Sequence, residues 1–426
     1  MRIAVVGGGV AGLIATWLLR EQHDVWLYEK ADYIGGHAHT ATLTFRDRPV
    51  PVDTAFITFS TERYPTFSRL LDHLGVASLP VPTSFSCHIE GRDVSYVYGP
   101  QRTRFRASLA DWRKPAFRRM MLDTLRFFRR APELLHAHNG SRGLTIGQYL
   151  AREGYSRDFA FNLLLPVAAA LWSLPLQAVG DFDAAAFVGT FKDAGYLSIW
   201  QRQHWRTVAG GSQRYVTRLV SALGPRIRPR TEVCRVSRHA TGVVIRDSTG
   251  GEDSFDHVVM ASHADQTLRM LADASDDEQR ILGAFSYFAN TLFLHHDTSL
   301  MPPSRSRWGT WNYFANPDDG ARPVSHTYWM NKLQGLDENF PTFVSLNPLR
   351  EPSADLMEAV FRYEHPTLDT ATVTAQQELT RIQGVNRTWF CGACYERWGS
   401  HEDALRTGLR VARHFGADLP WSGGNA

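Results

Sequence analysis

The first forty residues alternate between apolar runs and turn residues in an order that predicts strand, helix and strand. Arg2 to Val6 is apolar after its first residue, which is typical of a buried strand. An apolar helix is predicted from about Val10 to Arg20, and a second strand from Asp24 to Tyr28. These three elements indicate a βαβ unit. Further along, apolar spacing predicts another helix from Phe187 to Trp200.

Three glycines occupy the turn between the first strand and the helix, at Gly7, Gly9 and Gly12. Their spacing is that of the dinucleotide-binding fingerprint. The first glycine permits a tight turn, the second lets the backbone approach a pyrophosphate, and the third lets helix and strand pack closely. Glu29 follows the second strand, where a carboxylate accepts hydrogen bonds from an adenosine ribose and would repel a 2′-phosphate. NADP is therefore disfavoured as the ligand.

A second glycine pair, Gly35 and Gly36, lies shortly after Glu29 and implies a second loop close to the ligand. With four later segments, this pair makes the sequence similar to the flavin-dependent amine oxidase superfamily. The resemblance spans nearly the whole chain and is to a bacterial FAD-binding, amine-oxidase-like and phytoene-desaturase-like oxidoreductase branch. The four segments are Pro51 to Val76, Trp205 to Leu219, Tyr328 to Leu336 and Trp389 to Ala412.

The resemblance implies an α/β protein with FAD as its cofactor. We expect a discontinuous Rossmann-like FAD-binding domain, of the glutathione-reductase or amine-oxidase type, from residues 1–80, 205–284 and 380–426. An intertwined α+β substrate domain is expected from residues 81–204 and 285–379. The length of 426 residues agrees with two domains, because single cores rarely grow beyond about 250–300 residues.

The same resemblance assigns cofactor contacts residue by residue. Val233 matches the family segment whose backbone meets the adenine, and Phe56 lies in a loop that borders the flavin. Backbone N–H groups at the start of the last helix would point at the flavin ring, where positive potential stabilises the reduced anion. The predicted cofactor-binding residues are Gly7, Gly9, Val10, Ala11, Gly12, Glu29, Lys30, Gly35, Gly36, His37, Phe56, Val233, Gly392, His401, Glu402 and Asp403.

Three residues depart from the family pattern near the cofactor. His37 stands where an arginine usually follows the glycine pair, Cys394 where many relatives carry a glutamate, and Ser400 where they often place an aromatic residue. Cys391 and Cys394 form a C-x-x-C pair, interpreted either as small residues beside the cofactor, which we favour, or as a redox disulfide. No further ligands lie at suitable spacing, so no metal site is predicted.

A lysine holds a water near flavin N5 in many amine oxidases. Lys332 and Lys192 are the candidates here, although either is also compatible with a surface position. His401 and Ser400 lie at the start of the last helix, where the resemblance places the flavin ring. The predicted catalytic residues are Lys332, His401 and Ser400.

The formal net charge is only +3, but arginines concentrate in one segment. From Arg102 to Arg130, nine arginines and one lysine stand against Asp111 and Asp123. Apolar residues interleave with the arginines at roughly helical spacing in the second half of this segment. The segment is either a helix whose apolar face joins the core, or a surface that contacts a phospholipid membrane or an acyl-carrier protein. Nucleic acid is not expected as a partner.

The sequence thus predicts a FAD-dependent oxidoreductase that transfers hydride from a small hydrophobic, fatty-acyl or lipid-like substrate to flavin N5. The outcome is either dehydrogenation or double-bond isomerisation. Two alternatives stay open: oxidation of an amine or amino acid, and a non-catalytic protein that binds a lipid or a partner. No apolar stretch is long enough to span a membrane and no signal peptide is evident, which predicts a cytoplasmic protein. Peripheral membrane contact through Arg102 to Arg130 is compatible with that prediction.

Overall fold

The structure, a computed structural model, describes residues 1–89, 94–98, 105–106, 109–135, 143–172, 174–193, 197, 204–315 and 325–421. The strands are β1 (Arg2–Val6), β2 (Asp24–Tyr28), β3 (Thr40–Phe45), β4 (Arg48–Asp53), β5 (Phe59–Ser60), β6 (Ser78–Pro80), β7 (Phe85–Ile89), β8 (Val94–Tyr98), β9 (Phe105–Arg106), β10 (Trp205–Val208), β11 (Ile227–Arg228), β12 (Val233–His239), β13 (Gly242–Asp247), β14 (Glu252–Phe255), β15 (His257–Met260), β16 (Tyr287–His295), β17 (Trp311–Ala315), β18 (Ser325–Trp329), β19 (Phe343–Leu346), β20 (Met357–Pro366) and β21 (Thr388–Phe390).

The α-helices are α1 (Val10–Leu19), α2 (Pro65–His73), α3 (Leu109–Arg113), α4 (Pro115–Arg130), α5 (Ile146–Arg152), α6 (Arg157–Phe159), α7 (Leu165–Trp172), α8 (Leu176–Gly180), α9 (Ala184–Asp193), α10 (Gln213–Ser221), α11 (Ala264–Met270), α12 (Asp276–Gly283), α13 (Met330–Leu333), α14 (Thr370–Glu378) and α15 (His401–His414). A π-helical turn, Ala160–Leu164, joins α6 to α7.

A five-stranded parallel sheet carries the dinucleotide fold, in the order β11-β2-β1-β15-β21. The central strands are buried on both faces, which explains their nearly continuous runs of Val, Ile, Leu and Met. Helices α1, α10 and α15 pack on one face. The antiparallel sheet β12-β13-β14 and helices α11 and α12 cover the other. The predicted Rossmann-like α/β class is confirmed.

A second sheet of eight strands lies in the order β20-β16-β19-β18-β17-β7-β8-β9. Its neighbours are antiparallel except for β17 and β7. Phe127 of α4, Trp172 of α7 and Phe187 of α9 share one hydrophobic core with Leu294 of β16 and Tyr313 of β17. Helices beside a mainly antiparallel sheet form the predicted α+β part of the molecule. The exact domain boundaries stay predictions.

The helix predicted from Phe187 to Trp200 is wrong at its start, because α9 begins at Ala184. The Asp183 carboxylate accepts a hydrogen bond from Ala186 N–H at 2.9 Å, which caps the helix at this earlier position. Most of the predicted helix beyond Asp193 lies outside the described residues.

No α-helix in the described part of the chain combines the length and the apolar character needed to cross a membrane.

Candidate functional site

The glycine turn between β1 and α1 has the geometry that a dinucleotide requires. Gly7 has a φ of +113°, which side chains rarely adopt, and its N–H donates to Tyr28 O at 2.9 Å. A Cβ on Gly12 would lie 2.0 Å from Gly7 O, so helix and strand are in direct backbone contact. A Cβ on Gly9 would meet nothing within 4 Å. This side of the turn is therefore open to a ligand.

The second glycine loop is fastened to the first. Gly35 N–H donates to Gly8 O at 2.9 Å. A Cβ on Gly36 would lie only 3.1 Å from Gly9 Cα, so the two backbones are in close contact there. The two predicted glycine loops thus form one surface.

Glu29 holds the backbone of this surface through both of its carboxylate oxygens. Oε2 accepts from Gly8 N–H at 2.6 Å, and Oε1 accepts from Ala31 N–H at 2.8 Å. A carboxylate oxygen accepts more than one hydrogen bond, so both remain able to accept from ribose hydroxyls. Lys30, which was predicted beside it, is exposed.

The N-terminus of α1 is open to an anion. Its N-cap residue is Gly9, and no side chain caps the helix, so the N–H groups of Val10 and Ala11 in its first turn remain for a ligand. An open glycine face, an uncapped helix and a carboxylate held in place after β2 fit the pyrophosphate and adenosine of FAD. We expect the predicted loop residues and Glu29 to hold that half of the cofactor.

His37 lies beside the glycine loops as a neutral side chain. Its Nε2 is buried and has no hydrogen-bond partner among the described residues. Its ring is 5.1 Å from that of Tyr363 and 5.2 Å from that of His365. Burial lowers the pKa of His37 to about 4. The residue at the place of the usual arginine therefore offers a hydrogen bond instead of a charge.

Phe56 and His401 stack face to face, with ring centroids 3.8 Å apart and planes 12° from parallel. Nε2 of His401 forms a hydrogen bond with the Tyr215 hydroxyl at 2.8 Å. Burial lowers the pKa of His401 to about 3. The structure brings these two predicted residues together. The His401 ring packs on Phe56 and is hydrogen-bonded to Tyr215.

The side chains of Ser400, Glu402 and Asp403 at the start of α15 form hydrogen bonds that cap helices. Ser400 Oγ accepts from Asp403 N–H at 3.1 Å and Asp403 Oδ2 accepts from Ser400 N–H at 2.9 Å, which is a capping box. Ser400 Oγ also donates to Asp403 Oδ2 at 2.7 Å. The Glu402 carboxylate accepts from Thr66 N–H at 3.0 Å and Phe67 N–H at 2.9 Å, and so caps α2. Any contact of Glu402 or Asp403 with the cofactor would therefore use backbone groups, and catalysis by Ser400 stays a prediction without support from its contacts.

The two candidate lysines lie at the protein surface. Lys332 forms an ion pair with Glu338 and lies 5.3 Å from the centre of the Trp329 ring. Lys192 is exposed near the end of α9. A lysine beside flavin N5 would need a buried position, so the surroundings of Lys332 and Lys192 give no support to that role.

Two further predicted contacts lie at the boundaries of strands, one at the start of β12 and one after β21. Val233 is the buried first residue of β12, beside an irregularity in its pairing with β13. Gly392 follows β21, and its N–H donates to Thr407 Oγ1 at 3.0 Å. Whether either touches the cofactor stays a prediction.

Cys391 and Cys394 are both buried and both free thiols. Burial raises the pKa of Cys391 above its ordinary range and that of Cys394 to about 12. A reactive cysteine needs a lowered pKa in an electropositive setting. The surroundings favour the interpretation of this pair as small packing residues.

A chain of side-chain amides fixes the proton position on a histidine that the sequence analysis did not select. Thr291 N–H donates to Asn347 Oδ1 at 2.8 Å, which identifies that atom as the amide oxygen. Asn347 Nδ2 then donates to Asn290 Oδ1 at 2.6 Å, and Asn290 Nδ2 donates to His365 Nδ1 at 2.9 Å. Because Nδ1 accepts, neutral His365 carries its proton on Nε2.

Among the described residues His365 has one side-chain hydrogen bond, at Nδ1, and its side chain is partly exposed. Burial lowers the pKa of His365 well below its ordinary value, with smaller effects from His37, His326 and His263. His365 Nε2 is therefore a neutral N–H donor beside His37, whose ring lies 5.2 Å away.

The only sequence signal for this series of amide hydrogen bonds is a lone asparagine in the apolar strand β16. Asn290 follows Ala289 and precedes a run that includes Leu292 and Phe293. A buried polar side chain requires a partner, but the partner's identity depends on the pairing of β16 with β20 and β19.

Asp53 joins three distant segments of the chain under the second glycine loop. Its Oδ1 accepts from Thr40 Oγ1 at 2.6 Å and from both N–H and Oγ of Ser212 at 2.8 Å. Its Oδ2 accepts from Gln334 Nε2 at 3.0 Å. Burial raises the pKa of Asp53 to about 6, partly offset by these donors. The hydrogen bonds hold the loop that carries Phe56 in place.

The sequence model for flavin-containing amine oxidoreductases matches residues 10–282. Wild-type putrescine oxidase bound to putrescine is 14% identical, with coverage of 97% of this chain and 99% of that one and a TM-score of 0.69. A fatty acid isomerase from P. acnes that produces CLA is 16% identical, with 97% and 98% coverage and a TM-score of 0.66. Cyclohexylamine oxidase from Brevibacterium oxydans IH-35A is 13% identical, with 97% and 98% coverage and a TM-score of 0.70.

No curated protein sequence matches the chain significantly. The solved structures, at these low identities, share its fold alone. The family match covers well over half of the chain and includes helix α1, Glu29 and the second glycine loop. The chain therefore belongs to the family of flavin-containing amine oxidoreductases and is a FAD-dependent oxidoreductase.

Proposed function

We propose that this oxidoreductase acts on a C–H bond of an uncharged, hydrophobic acyl-type substrate rather than on an amine. The observation that carries the proposal is the state of the buried carboxylates. Each one in the described part of the chain already has a partner within the protein. These carboxylates are Asp53, Asp111, Asp123, Asp247, Glu278, Asp297, Glu402 and Asp403.

A substrate with an ammonium group needs an anion or an aromatic cage when it leaves water. The two buried histidines beside the second glycine loop are neutral, because burial holds the pKa of His37 and His365 below the neutral range. His365 Nε2–H is a donor, suited to the oxygen of a carbonyl or carboxyl group. An acyl group supplies such an oxygen and an apolar chain together.

FAD, when bound, supplies the redox chemistry by accepting a hydride at N5. In a dehydrogenation the substrate loses a hydride from one carbon and a proton from its neighbour, and the electrons pass on to oxygen or another acceptor. In a double-bond isomerisation the hydride returns to a different carbon and no acceptor is consumed. The protein's contribution in both cases is to orient the chain and to exclude water.

Anaerobic mixing of the purified holoprotein with fatty acids, acyl thioesters and simple amines tests the proposal. Dehydrogenation of an acyl substrate would bleach the visible flavin absorbance. Isomerisation would leave the absorbance unchanged and shift the double bond, which gas chromatography of the recovered acid detects. Bleaching by amines alone would overturn the proposal in favour of amine oxidation.

A further inference from the structure

Helix α4 exposes a stripe that combines arginines with large apolar side chains. Arg118, Leu122, Leu125 and Arg129 are spaced four, three and four residues apart, which places them on one helical face. Leu122 is 68% exposed and Leu125 is 49% exposed. The two leucines therefore lie in the middle of a solvent-facing stripe with an arginine at each end.

These two leucines do not contribute to the hydrophobic core. The opposite face of α4 already packs inward through Met120 and Phe127, which are almost fully buried. Asp123 lies on that inner face and accepts a hydrogen bond from Ser156 N–H at 2.9 Å. The apolar face of α4 joins the core, as the first of the two sequence interpretations expects, and Leu122 and Leu125 lie outside that face.

Two more exposed aromatic side chains belong to elements beside α4. Trp112 of α3 is 45% exposed and stands edge-on to Phe117, with ring centroids 5.1 Å apart. Phe161, just after α6, is 44% exposed, and α6 packs on α4 through Phe159 and Phe127. Four exposed large apolar side chains thus belong to α4 or to elements beside it, and a group of this kind marks an interaction surface.

The charge of this surface is positive. Arg118, Arg119 and Arg129 form no ion pair among the described residues. The acid within α4, Asp123, faces inward and lies 3.6 Å from Arg126. The exposed face of the helix thus carries arginines without compensating carboxylates of its own.

We propose that α4 lies on the surface of an anionic phospholipid bilayer, with Leu122 and Leu125 inserted between the headgroups. Arginines at both ends of the stripe would bind lipid phosphates while their aliphatic stems follow the leucines into the interface. An acidic carrier protein would use the arginines, but it would leave the exposed leucines in water unless it carried a matching apolar groove. The bilayer accounts for the apolar and the basic groups together.

Cosedimentation of the full-length holoprotein with vesicles tests this proposal independently of any enzyme activity. One vesicle population contains phosphatidylcholine and phosphatidylglycerol, and the other contains phosphatidylcholine alone. We expect binding to the anionic vesicles, weakened by salt. The variant R118Q/R129Q should bind about fivefold more weakly for each arginine removed, and L122Q/L125Q at least about tenfold more weakly.

Matched controls separate the surface from general charge and hydrophobicity. R218Q/R235Q removes two exposed arginines elsewhere, and V360Q removes an exposed apolar side chain from β20. Both should bind as the unaltered protein does, with unchanged flavin content and melting temperature. The proposal is overturned if neither vesicle population binds, or if the α4 variants bind as well as the controls. It is also overturned if an acidic acyl-carrier protein binds through α4 while the vesicles do not.

Discussion

The side-chain amide of Asn290 donates a hydrogen bond to Nδ1 of His365 over 2.9 Å. Asn347 holds that amide in one orientation, so the donor cannot be exchanged for the acceptor without losing a second hydrogen bond. His365 is consequently kept neutral with its proton on Nε2, the nitrogen without a hydrogen-bond partner among the described residues. An asparagine fixes the tautomer here without adding a charge.

Replacement of Asn290 by Asp should move the His365 proton. A carboxylate accepts, so Nδ1 must then carry a proton and the pKa of His365 must rise. Nitrogen NMR of histidine-labelled protein should show Nε2 protonated and Nδ1 unprotonated in the unaltered protein, and Nδ1 protonated in N290D. The H365Q variant identifies the signal. Protonation of Nδ1 in the unaltered protein would contradict the assignment.

The same substitution should add a pH dependence to turnover. In N290D the charged imidazolium still donates from Nε2, but the neutral form above its raised pKa keeps its proton on Nδ1 and no longer donates. We expect the rate to fall by about tenfold as pH rises through that pKa, the cost of about one hydrogen bond. The unaltered protein should lack this step. H365A should be slow at every pH, and H365Q should recover part of the rate through its amide N–H.

The fold was predictable where local pattern and packing agree. The strand, glycine turn and helix at the N-terminus need only neighbouring residues to be recognised, and the parallel sheet follows from them. The role of Glu402 was not accessible in that way, because its partners Thr66 and Phe67 lie more than 330 residues earlier in the chain. Asn290 and His365 meet only through strand pairing, and no residue-level pattern encodes that register.

Gly12 and Gly9 form a matched pair for a test of the glycine turn. In G12A the new Cβ would lie 2.0 Å from Gly7 O and 2.9 Å from Ala261 Cβ, so the βαβ unit has to shift apart. We expect a loss of stability of about 3 kcal/mol or more, or failure to fold. In G9A the backbone at φ −67° accepts a side chain and no neighbour lies within 4 Å. Its apoprotein should melt normally but bind FAD weakly, as measured by flavin retained on gel filtration. Normal FAD binding by G9A would show that this open face does not receive the cofactor.

Glu29→Ala should weaken FAD binding more than it weakens the fold. The substitution removes the acceptor for Gly8 N–H and Ala31 N–H as well as the predicted ribose acceptor. Charge-assisted hydrogen bonds contribute about 1.5–3 kcal/mol each, so we expect the dissociation constant to rise by at least about tenfold. Isothermal titration of the apoprotein with FAD measures the change. Glu21→Ala, which removes an exposed acid near the same βαβ unit, is the control and should titrate like the unaltered protein.

Protonation of buried histidines should destabilise the protein in acid, and His326 provides the sharpest test. Both of its ring nitrogens are buried without a partner among the described residues, and burial lowers its pKa to about 3. The unfolded chain binds a proton near pH 6.5 while the folded chain does not, so stability is lost as pH falls below that value. At pH 5 the loss from this residue is about 2 kcal/mol. His326→Phe should remove this loss, so the free energy of unfolding measured with urea should fall by about 2 kcal/mol less between pH 7.5 and pH 5 than in the unaltered protein. His239→Phe, at an exposed site, should lose as much stability between pH 7.5 and pH 5 as the unaltered protein does. If His326→Phe lost as much unfolding free energy between pH 7.5 and pH 5 as the unaltered protein, the protons taken up on unfolding would bind to other groups.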